Sequence, residues 1–363
     1  MASRVLGKRT HFGMGIPVTN PGGLNSVING FSTAQARMGL DVSVIDSIRG
    51  RKFVRNNLGE KPGEASDEYR FTGQPYSVGH FHFTYTAAQL KIFHPALYSN
   101  FDLKIFHFHG PWKLESQIAG QEGLRLAFKG IIEKNIYNHF DHFWTASSAF
   151  SRLLTRDFGI SSEKIANTGL GIDTDYFKRT PSPELKDRDV FTVGTVRRLE
   201  KRMGLENLII AISSMPKVHL RIVGDGSIAK ELKDLSTSLG VEDRVTFHGR
   251  VPDEALPIFY SEIDVCVIPT VALEGFSVTA LESFACGTPV LASNLDGLVE
   301  SVGGMSKNLL FEPNSSDAIV KSLENFRENN EITIAQCREY AEKFSWISKT
   351  QTLETSMQKM VKK

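Results

Sequence analysis

The sequence predicts an α/β protein of two Rossmann-like units, each a doubly wound sheet with helices on both faces. Its 363 residues are enough for two domains of roughly 150 residues each. With 41% hydrophobic and 23% charged residues, the composition is that of a globular chain. Short apolar runs typical of strands alternate with helical stretches along the whole length. This alternation favours parallel sheets wound on both faces.

The alternation predicts a series of elements in the first half of the chain. Strands are predicted at Val42–Ile45, Ser77–Phe83, Leu103–Phe108 and His142–Thr145. Helices are predicted between them at Leu24–Met38, Leu114–Tyr137 and Ser148–Asp157. A polar segment with two prolines follows at residues 177–184 and predicts a linker. We therefore expect a first domain over residues 1–180.

A second series predicts another domain over residues 181–345. Its strands are predicted at Phe191–Val196, Val218–Val223, Arg244–Phe247, Asp264–Ile268, Pro289–Ala292 and Asn308–Phe311. Its helices are predicted at Leu205–Ser214, Ala229–Leu239, Ser277–Ala285, Asp317–Phe326 and Ile332–Phe344. Residues 346–363 read as one polar helix, which we expect to pack near the groove between the domains.

Composition argues against several classes of protein. No run approaches the roughly 18 apolar residues that a membrane span needs. The first nine residues lack the apolar core of a secretory signal, and three cysteines cannot build a disulfide framework, which predicts a cytoplasmic protein. The formal net charge of +1 argues against a nucleic-acid-binding protein.

Charge is divided unevenly along the chain. Residues 1–180 contain 21 Lys and Arg against 15 Asp and Glu, whereas residues 181–363 contain 21 against 26. Eight of the ten histidines also lie in the first half. The asymmetry suggests two halves with different partners, the first facing something anionic. Ordinary scatter of solvated charges explains it equally well.

The most informative motif spans residues 274–290, directly after the predicted strand Asp264–Ile268. Ser277 is a good N-cap for the helix that follows, and Gly275 lets the backbone approach a ligand closely. A helix N-terminus at the carboxyl edge of a parallel sheet favours a phosphate. The backbone amides that would point at such an anion are those of Phe276, Ser277 and Val278.

Two carboxylates flank this anion site. Glu274 precedes the helix and Glu282 lies inside it. Carboxylates only accept hydrogen bonds, so they suit the hydroxyls of a ligand that also carries phosphates, such as a nucleotide sugar. Taken by their spacing alone, two such glutamates are more often solvent-exposed surface residues.

The whole string resembles the signature of glycosyltransferase family 4, the glycosyl transferases group 1. It reads Glu-Gly-Phe, then seven residues between two glutamates, then Ala-Cys-Gly-Thr-Pro-Val. The resemblance implies the GT-B fold, in which two Rossmann-like domains face each other across a cleft that holds the active site. It also implies a retaining, metal-independent transferase without a cofactor. The donor would be a nucleoside-diphosphate sugar, with a UDP-sugar as the default.

In the first domain the resemblance covers two segments. Residues 20–27, where Gly22 and Gly23 precede a helix, resemble the glycine-rich loop that lies against the donor. His109 resembles the histidine at a strand end that contacts the sugar. The other histidines near strand ends could suggest a metal site, but they belong to separate strands. We therefore expect hydrogen-bonded structural roles for His80, His82 and His107.

In the second domain, residues 193–205 resemble the family's Gly-Arg-Leu…Lys-Gly segment, whose cations neutralise the donor diphosphate. Arg198 matches the arginine. Met203 stands directly before the glycine, so Lys201 or Arg202 must supply the second cation, and Arg202 could grip phosphate bidentately. A basic surface turn is the alternative interpretation.

Two turns after strands also resemble parts of the family's nucleotide pocket. One contains Gly224, and the other contains Arg250 and Val251, whose backbone would meet the base. The Asp-x-Asp of Asp173 and Asp175 could in another glycosyltransferase fold hold a metal. We interpret both as turn and cap residues instead.

The resemblance implies transfer of a sugar to an acceptor hydroxyl in polysaccharide, glycolipid or natural-product biosynthesis. Glu274 would hold sugar hydroxyls and stabilise charge near the anomeric carbon, His109 would position the sugar, and Glu282 would hold the ribose. Two alternatives stay open. One is a sugar-nucleotide epimerase or phosphorylase on the same scaffold, and the other is a non-catalytic binder of nucleotide sugars.

The acceptor and the oligomeric state cannot be read from the residues. The basic segment Ile48–Arg55, with its apolar interruptions, predicts either a solvated loop or a peripheral contact with anionic lipid at the inner membrane face.

Overall fold

A computed structural model of the chain describes residues 8–13, 23–48, 51–56, 63–64, 77–118, 120–180 and 190–361. The chain divides into two compact units, one of residues 1–171 with 346–363 and one of residues 172–345. The division therefore falls at 171/172 instead of 180/181, and the C-terminal segment groups with the first unit.

The first unit is built on an eight-stranded sheet. Its strands are β1 (Arg9–Gly13), β2 (Val42–Ile48), β3 (Arg51–Asn56), β4 (Gly63–Glu64), β5 (Val78–Phe81), β6 (Leu103–Phe108), β7 (His142–Thr145) and β8 (Ile165–Asn167). They lie in the order β4-β3-β2-β1-β5-β6-β7-β8. The β2–β3 and β3–β4 pairs are antiparallel, and the other pairs are parallel. The predicted basic loop Ile48–Arg55 is thus mostly strand β3.

Strand β1 lies inside this sheet although no apolar run predicts it. It pairs with β2 on one side and with β5 on the other. Its polar residues Arg9, Thr10 and His11 are all buried. A strand can bury such residues only if other elements supply hydrogen-bond partners, which a local hydrophobic pattern does not show.

Between these strands, the described residues of the first unit form six helices. They are α1 (Gly23–Arg37), α2 (Thr84–Phe93), α3 (Pro95–Ser99), α4 (Trp112–Ile118), α5 (Leu124–Tyr137) and α6 (Ser148–Phe158). The single helix predicted at Leu114–Tyr137 was wrong. Gly120 and Gly123 between α4 and α5 have φ of 80° and 79°, in the left-handed region where helices end.

The C-terminal helix, Trp346–Val361, docks on the first unit through its first residue. The Trp346 indole lies against Gly30 of α1 and against Gly171. A Cβ added at either glycine would lie only 2.1 or 2.4 Å from the ring. Leu353 and Met357 of the same helix are also buried. The helix is therefore part of the first unit's core.

The second unit is a six-stranded parallel sheet. Its strands are β9 (Phe191–Val196), β10 (Val218–Val223), β11 (Val245–Gly249), β12 (Val265–Ile268), β13 (Val290–Ser293) and β14 (Leu310–Phe311). Their order, β11-β10-β9-β12-β13-β14, is the Rossmann order. The connections on either side of β9 run in opposite directions, so the topological switch point lies between β9 and β12. Ligands of open α/β sheets bind at such points.

In the described residues of the second unit, seven helices accompany its sheet. They are α7 (Leu205–Ser213), α8 (Ala229–Ser238), α9 (Leu256–Glu262), α10 (Val278–Ala285), α11 (Leu298–Ser301), α12 (Ser316–Asn329) and α13 (Ile334–Glu342). Within the described ranges of both units, no helix combines the length and the apolar character needed to cross a membrane.

Candidate active site

The loops after β9 and β12 meet at the switch point of the second unit. Arg197 directly follows β9, and its Nη2 atom donates hydrogen bonds to Thr270 Oγ1 and Glu274 Oε2. Thr270 Oγ1 donates to the same carboxylate oxygen at 3.2 Å. The side chains of Arg197 and Glu274 are only 7% and 12% exposed. Because charges at such depth need partners, the ion pair fixes Glu274 at the strand ends.

Contacts on both sides of Glu274 fix its backbone. Arg202 Nη1 donates to Leu273 O at 2.8 Å, and Gly297 N donates to Glu274 O at 2.9 Å. Glu274 N donates to Asp296 Oδ2 at 3.3 Å. Asp296 and Gly297 escaped the sequence prediction because they follow a different strand, β13. Arg202, predicted as a phosphate ligand, also holds this loop.

Of two adjacent arginines, the structure turns only one toward Glu274. Successive side chains of an extended backbone point to opposite sides. Arg197 makes the contact, whereas Arg198 is exposed. Lys201 is exposed and Arg202 is half-buried. Arg197 is therefore a site residue that no motif distinguished from its neighbour.

Helix α10 begins with Ser277 as its N-cap, as predicted. The Ser277 hydroxyl accepts a hydrogen bond from Ala280 N at 3.2 Å. Gly275, before the cap, is half-buried. In the described part of the chain, no acceptor is found for the amides of Phe276, Ser277 and Val278. The positive end of α10 thus keeps donors for an anion.

Glu282 lies in α10 and accepts a hydrogen bond from the Tyr260 hydroxyl at 2.7 Å. Burial raises the pKa of Glu282 to about 7, the Tyr260 hydrogen bond opposes this rise, and the nearby Asp253 carboxylate adds to it. The carboxyl group is therefore balanced between its two protonation states near neutral pH. Perturbed groups of this kind are typical of functional sites.

The turn after β10 packs against the backbone of Arg197. Gly224 has a φ of 135°, and a Cβ added there would lie 1.8 Å from Arg197 O. Only glycine fits such a close approach. Two more residues predicted to line the nucleotide pocket follow the neighbouring strand β11. Arg250 is exposed and Val251 is half-buried.

In the first unit, His109 directly follows β6 and is half-buried. Its Nε2 atom lies 3.3 Å from His82 Nδ1. Burial lowers the pKa of His109 to about 3, so the ring is neutral at pH 7. A neutral imidazole can exchange hydrogen bonds with a sugar hydroxyl. Gly23 is the first residue of α1, whereas Gly22 lies outside the described residues.

The residues interpreted as structural are hydrogen-bonded, as expected. His80, His82 and His107 are buried, and each bonds another histidine through a ring nitrogen. Asp173 Oδ1 accepts from the backbone N–H groups two and three residues later, at 3.1 and 3.0 Å, which confirms it as a turn residue. Among the described residues, no three His, Cys, Asp or Glu side chains converge on a possible metal position.

Residues 177–344 match the family model of glycosyl transferases group 1. This part of the chain is similar to that family. The match covers the whole Arg197–Glu274 cluster and the α10 N-terminus, and it confirms the resemblance found in the signature. The group 1 glycosyltransferase region is thus nearly the same stretch as the second compact unit.

Curated relatives agree with this assignment. An uncharacterized glycosyltransferase of Methanocaldococcus jannaschii is 33% identical over 47% of this chain and 44% of its own. A GDP-mannose-dependent phosphatidylinositol monomannoside mannosyltransferase of Mycobacterium tuberculosis is 30% identical over 42% and 44%. A D-inositol 3-phosphate glycosyltransferase of Mycobacteroides abscessus is 29% identical over 63% and 54%. The chain spans about half the length of these relatives.

Solved structures similar to the whole chain show its fold. Sucrose-phosphate synthase from Thermosynechococcus elongatus superposes with a TM-score of 0.79 at 19% identity, over 98% of this chain and 99% of its own. HepE of Anabaena, in complex with UDP and glucose, has a TM-score of 0.73 at 18% identity, over 97% and 99%. The predicted GT-B fold is therefore confirmed.

Proposed function

We propose that the protein is a retaining glycosyltransferase that moves a sugar from a nucleoside-diphosphate sugar to an acceptor hydroxyl. One observation carries the proposal. At the switch point of the group 1 unit, a buried Arg197–Glu274 pair lies in the loop that leads to helix α10, whose N-terminal amides have no acceptor in the described residues. Fixed carboxylates beside an anion site suit a ligand that carries both hydroxyls and phosphates.

The chemistry follows from these positions. The bond between the anomeric carbon and the diphosphate oxygen breaks, and its electrons pass to the diphosphate. Arg198, Lys201 and the α10 amides would stabilise that charge. Glu274, held by Arg197, would bind sugar hydroxyls and stabilise the cationic centre. The acceptor hydroxyl would attack from the same face and pass its proton to the leaving phosphate oxygen. No metal is required in this scheme.

The donor is proposed to be a UDP-sugar. HepE of Anabaena binds UDP and UDP-glucose, whereas the mannosyltransferase of M. tuberculosis is named as dependent on GDP-mannose. A thermal-shift panel of UDP-, GDP- and ADP-sugars, followed by product analysis with candidate saccharide and lipid acceptors, tests base, sugar and linkage. An epimerised donor without acceptor, or phosphate acting as acceptor, would favour the epimerase or phosphorylase alternatives.

Glu274→Gln tests the assigned site. We expect kcat to fall by about 10²–10³, the loss typical of a group that stabilises transition-state charge, while nucleotide binding persists. Glu324→Gln, an exposed site on α12, is the matched control and should leave turnover unchanged. Unchanged transfer by Glu274→Gln would contradict the assignment.

We also propose a peripheral contact with an anionic membrane through helix α5. Leu124, Phe128 and Ile131 are 89%, 66% and 66% exposed and follow a helical spacing on one face. Exposed Arg125 and Lys134 accompany them. An apolar stripe beside cations is typical of helices that lie in a membrane interface.

Co-sedimentation with vesicles of anionic and of neutral lipid tests this contact. The double variant Phe128→Ser/Ile131→Ser should lose binding to anionic vesicles, and Val299→Ser, an exposed apolar site of the second unit, should not. Absence of binding by the unaltered protein would overturn the membrane contact and leave the transfer proposal standing.

A further inference from the structure

A chain of hydrogen-bonded histidines runs through the core of the first unit to His109. His11 Nδ1 lies 2.9 Å from His82 Nε2, and His82 Nδ1 lies 3.3 Å from His109 Nε2. His11 and His82 are at most 1% exposed. The rings also overlap, with centroids 5.2 Å apart for His11 and His82 and 5.5 Å apart for His82 and His109.

The other end of this row of histidines is anchored by a buried ion pair. His11 Nε2 lies 2.6 Å from Gln35 Oε1, and Gln35 Nε2 donates to Glu354 Oε1 at 2.8 Å. Arg9 donates to both oxygens of Glu354, at 3.1 and 2.5 Å. Gln35 is fully buried, and Arg9 and Glu354 are 1% and 5% exposed. Glu354 lies on the C-terminal helix, so that helix supplies the anchor.

This anchor sets which atom donates and which accepts in each hydrogen bond of the histidine row. A carboxylate only accepts, so the Gln35 amide N–H points at Glu354 and the Gln35 oxygen faces His11. His11 must therefore donate from Nε2 and accept at Nδ1. A neutral imidazole has one donor and one acceptor, so His82 in turn donates from Nε2 and accepts at Nδ1. His109 then donates from Nε2.

The three imidazole rings of this row, His11, His82 and His109, are neutral at physiological pH. Burial lowers the pKa of His11 to about 4 and that of His109 to about 3, and it holds the pKa of His82 well below its usual range. The logic of one donor and one acceptor per ring therefore applies throughout. In the described part of the chain, no hydrogen-bond partner is found for His109 Nδ1.

We infer that Gln35 and Glu354 are positioning residues that fix the tautomer of His109, presenting its Nδ1 lone pair as an acceptor for a sugar hydroxyl. The choice of a sugar hydroxyl rests on the proposed transferase function, whereas the tautomer does not. The unprotonated nitrogen of a neutral ring accepts a hydrogen bond from an O–H group and cannot donate one to a phosphate oxygen. His109 would therefore select and orient hydroxyls and would not bind the diphosphate.

The unaltered protein, labelled with ¹⁵N in histidine, provides the first test. Long-range ¹H–¹⁵N correlation spectra distinguish a protonated ring nitrogen from an unprotonated one. We expect His11, His82 and His109 each to show a single neutral form with the proton on Nε2, between pH 6 and 8. A proton on Nδ1 of His109, a mixture of tautomers or an imidazolium would overturn the inference.

Two variants test whether Gln35 sets the tautomers of the three histidines. Gln35→Met should leave mixed tautomers in all three rings and lower kcat/KM about tenfold, the value of one hydrogen bond. His82→Phe keeps a flat ring but cuts the chain, so His11 should keep its tautomer while His109 loses it. Ser32→Ala, a buried site on the same helix whose hydroxyl donates to Asn29 O, is the control.

The outcomes separate this inference from the proposed function. The spectra are recorded without catalysis. A missing transferase activity would therefore overturn the proposed function and leave the result on the tautomers unchanged. A single His109 tautomer that survives Gln35→Met would show that the histidine chain does not fix it, whatever the activity. If a variant failed to fold, the spectra of the unaltered protein would still decide whether His109 presents Nδ1.

Discussion

The two units place their candidate site residues at the ends of parallel strands but stabilise them in different ways. The first unit lines its strand ends with neutral imidazoles that bond one another, and the buried Arg9–Glu354 pair anchors them. The second unit places a charge pair, Arg197 and Glu274, directly at the switch point. Neutral rings avoid the cost of burying charge, whereas an ion pair offsets that cost only while both partners remain.

This difference predicts that the two units respond differently to mutation and to pH. The second unit should be sensitive to loss of one charge. The first should be sensitive to acid, because protonation adds charge to buried imidazole rings that are neutral at pH 7. Three experiments, in order of decreasing effect, test the comparison.

Arg197→Met should have the largest effect. It leaves the Glu274 carboxylate without its cation, and breaking a buried ion pair costs about 3–5 kcal/mol of unfolding free energy. Urea unfolding followed by circular dichroism measures it. Arg198→Met, at the exposed neighbouring position, should change stability by no more than about 0.5 kcal/mol. Equal effects at the two positions would show that the ion pair does not support the second unit.

Acid should destabilise the first unit between pH 6.5 and 4. Burial lowers the pKa of His11 to about 4, so the unfolded chain binds its proton first as the pH falls. Stability is therefore full above pH 6.5 and declines toward pH 4, by about 3 kcal/mol for this histidine alone.

Urea midpoints measured from pH 4 to 8 test this decline. His11→Phe should remove this histidine's share of the decline, and His94→Gln, at an exposed histidine of the same unit, should leave the decline as it was. A stability that rose as the pH fell from 6.5 to 4 would show that the buried histidines of the first unit are not neutral in the folded state.

Glu282 should give a pH dependence of opposite sign, and the change measured in the third experiment, in nucleotide affinity, should be the smallest of the three. Its pKa is raised to about 7, so folding favours the protonated form, and stability falls as the pH rises from 4.5 through 7. Under the proposed function Glu282 accepts hydrogen bonds from ribose hydroxyls, and its ionised form is the stronger acceptor, so nucleotide affinity should instead rise several-fold from pH 6 to 8. Calorimetric titration with UDP measures this, and Glu282→Gln should remove the dependence. An identical pH dependence in that variant would assign it to another group.

Much of the fold was predictable because the main strands are continuous apolar runs. The predicted bounds of Leu103–Phe108, His142–Thr145, Phe191–Val196 and Val218–Val223 agree with the structure at both ends. Strands of parallel sheets are buried on both faces and so leave this local signature. Strand β1 was missed because its buried residues are polar, and the helix predicted across Gly120 and Gly123 was wrong because those glycines adopt left-handed conformations.

The candidate site was predictable where its chemistry is local. The motif at residues 274–290 placed Glu274 and the Ser277 cap because a strand, a turn and a helix N-terminus follow one another directly. The contacts of Glu274 with Arg197 and Asp296 depend on loops from three strands and could not be read in the same way.

By itself, the sequence determined the two α/β series, the group 1 signature and the residues that lie at strand ends. Burial and hydrogen bonding within a few residues leave periodic patterns in a chain. Only the tertiary structure decided that Arg197 instead of Arg198 faces Glu274, and that Gln35 joins His11 to Glu354, 319 residues away. Contacts between distant segments leave no local pattern, because the geometry that satisfies a buried polar group exists only after each unit has folded.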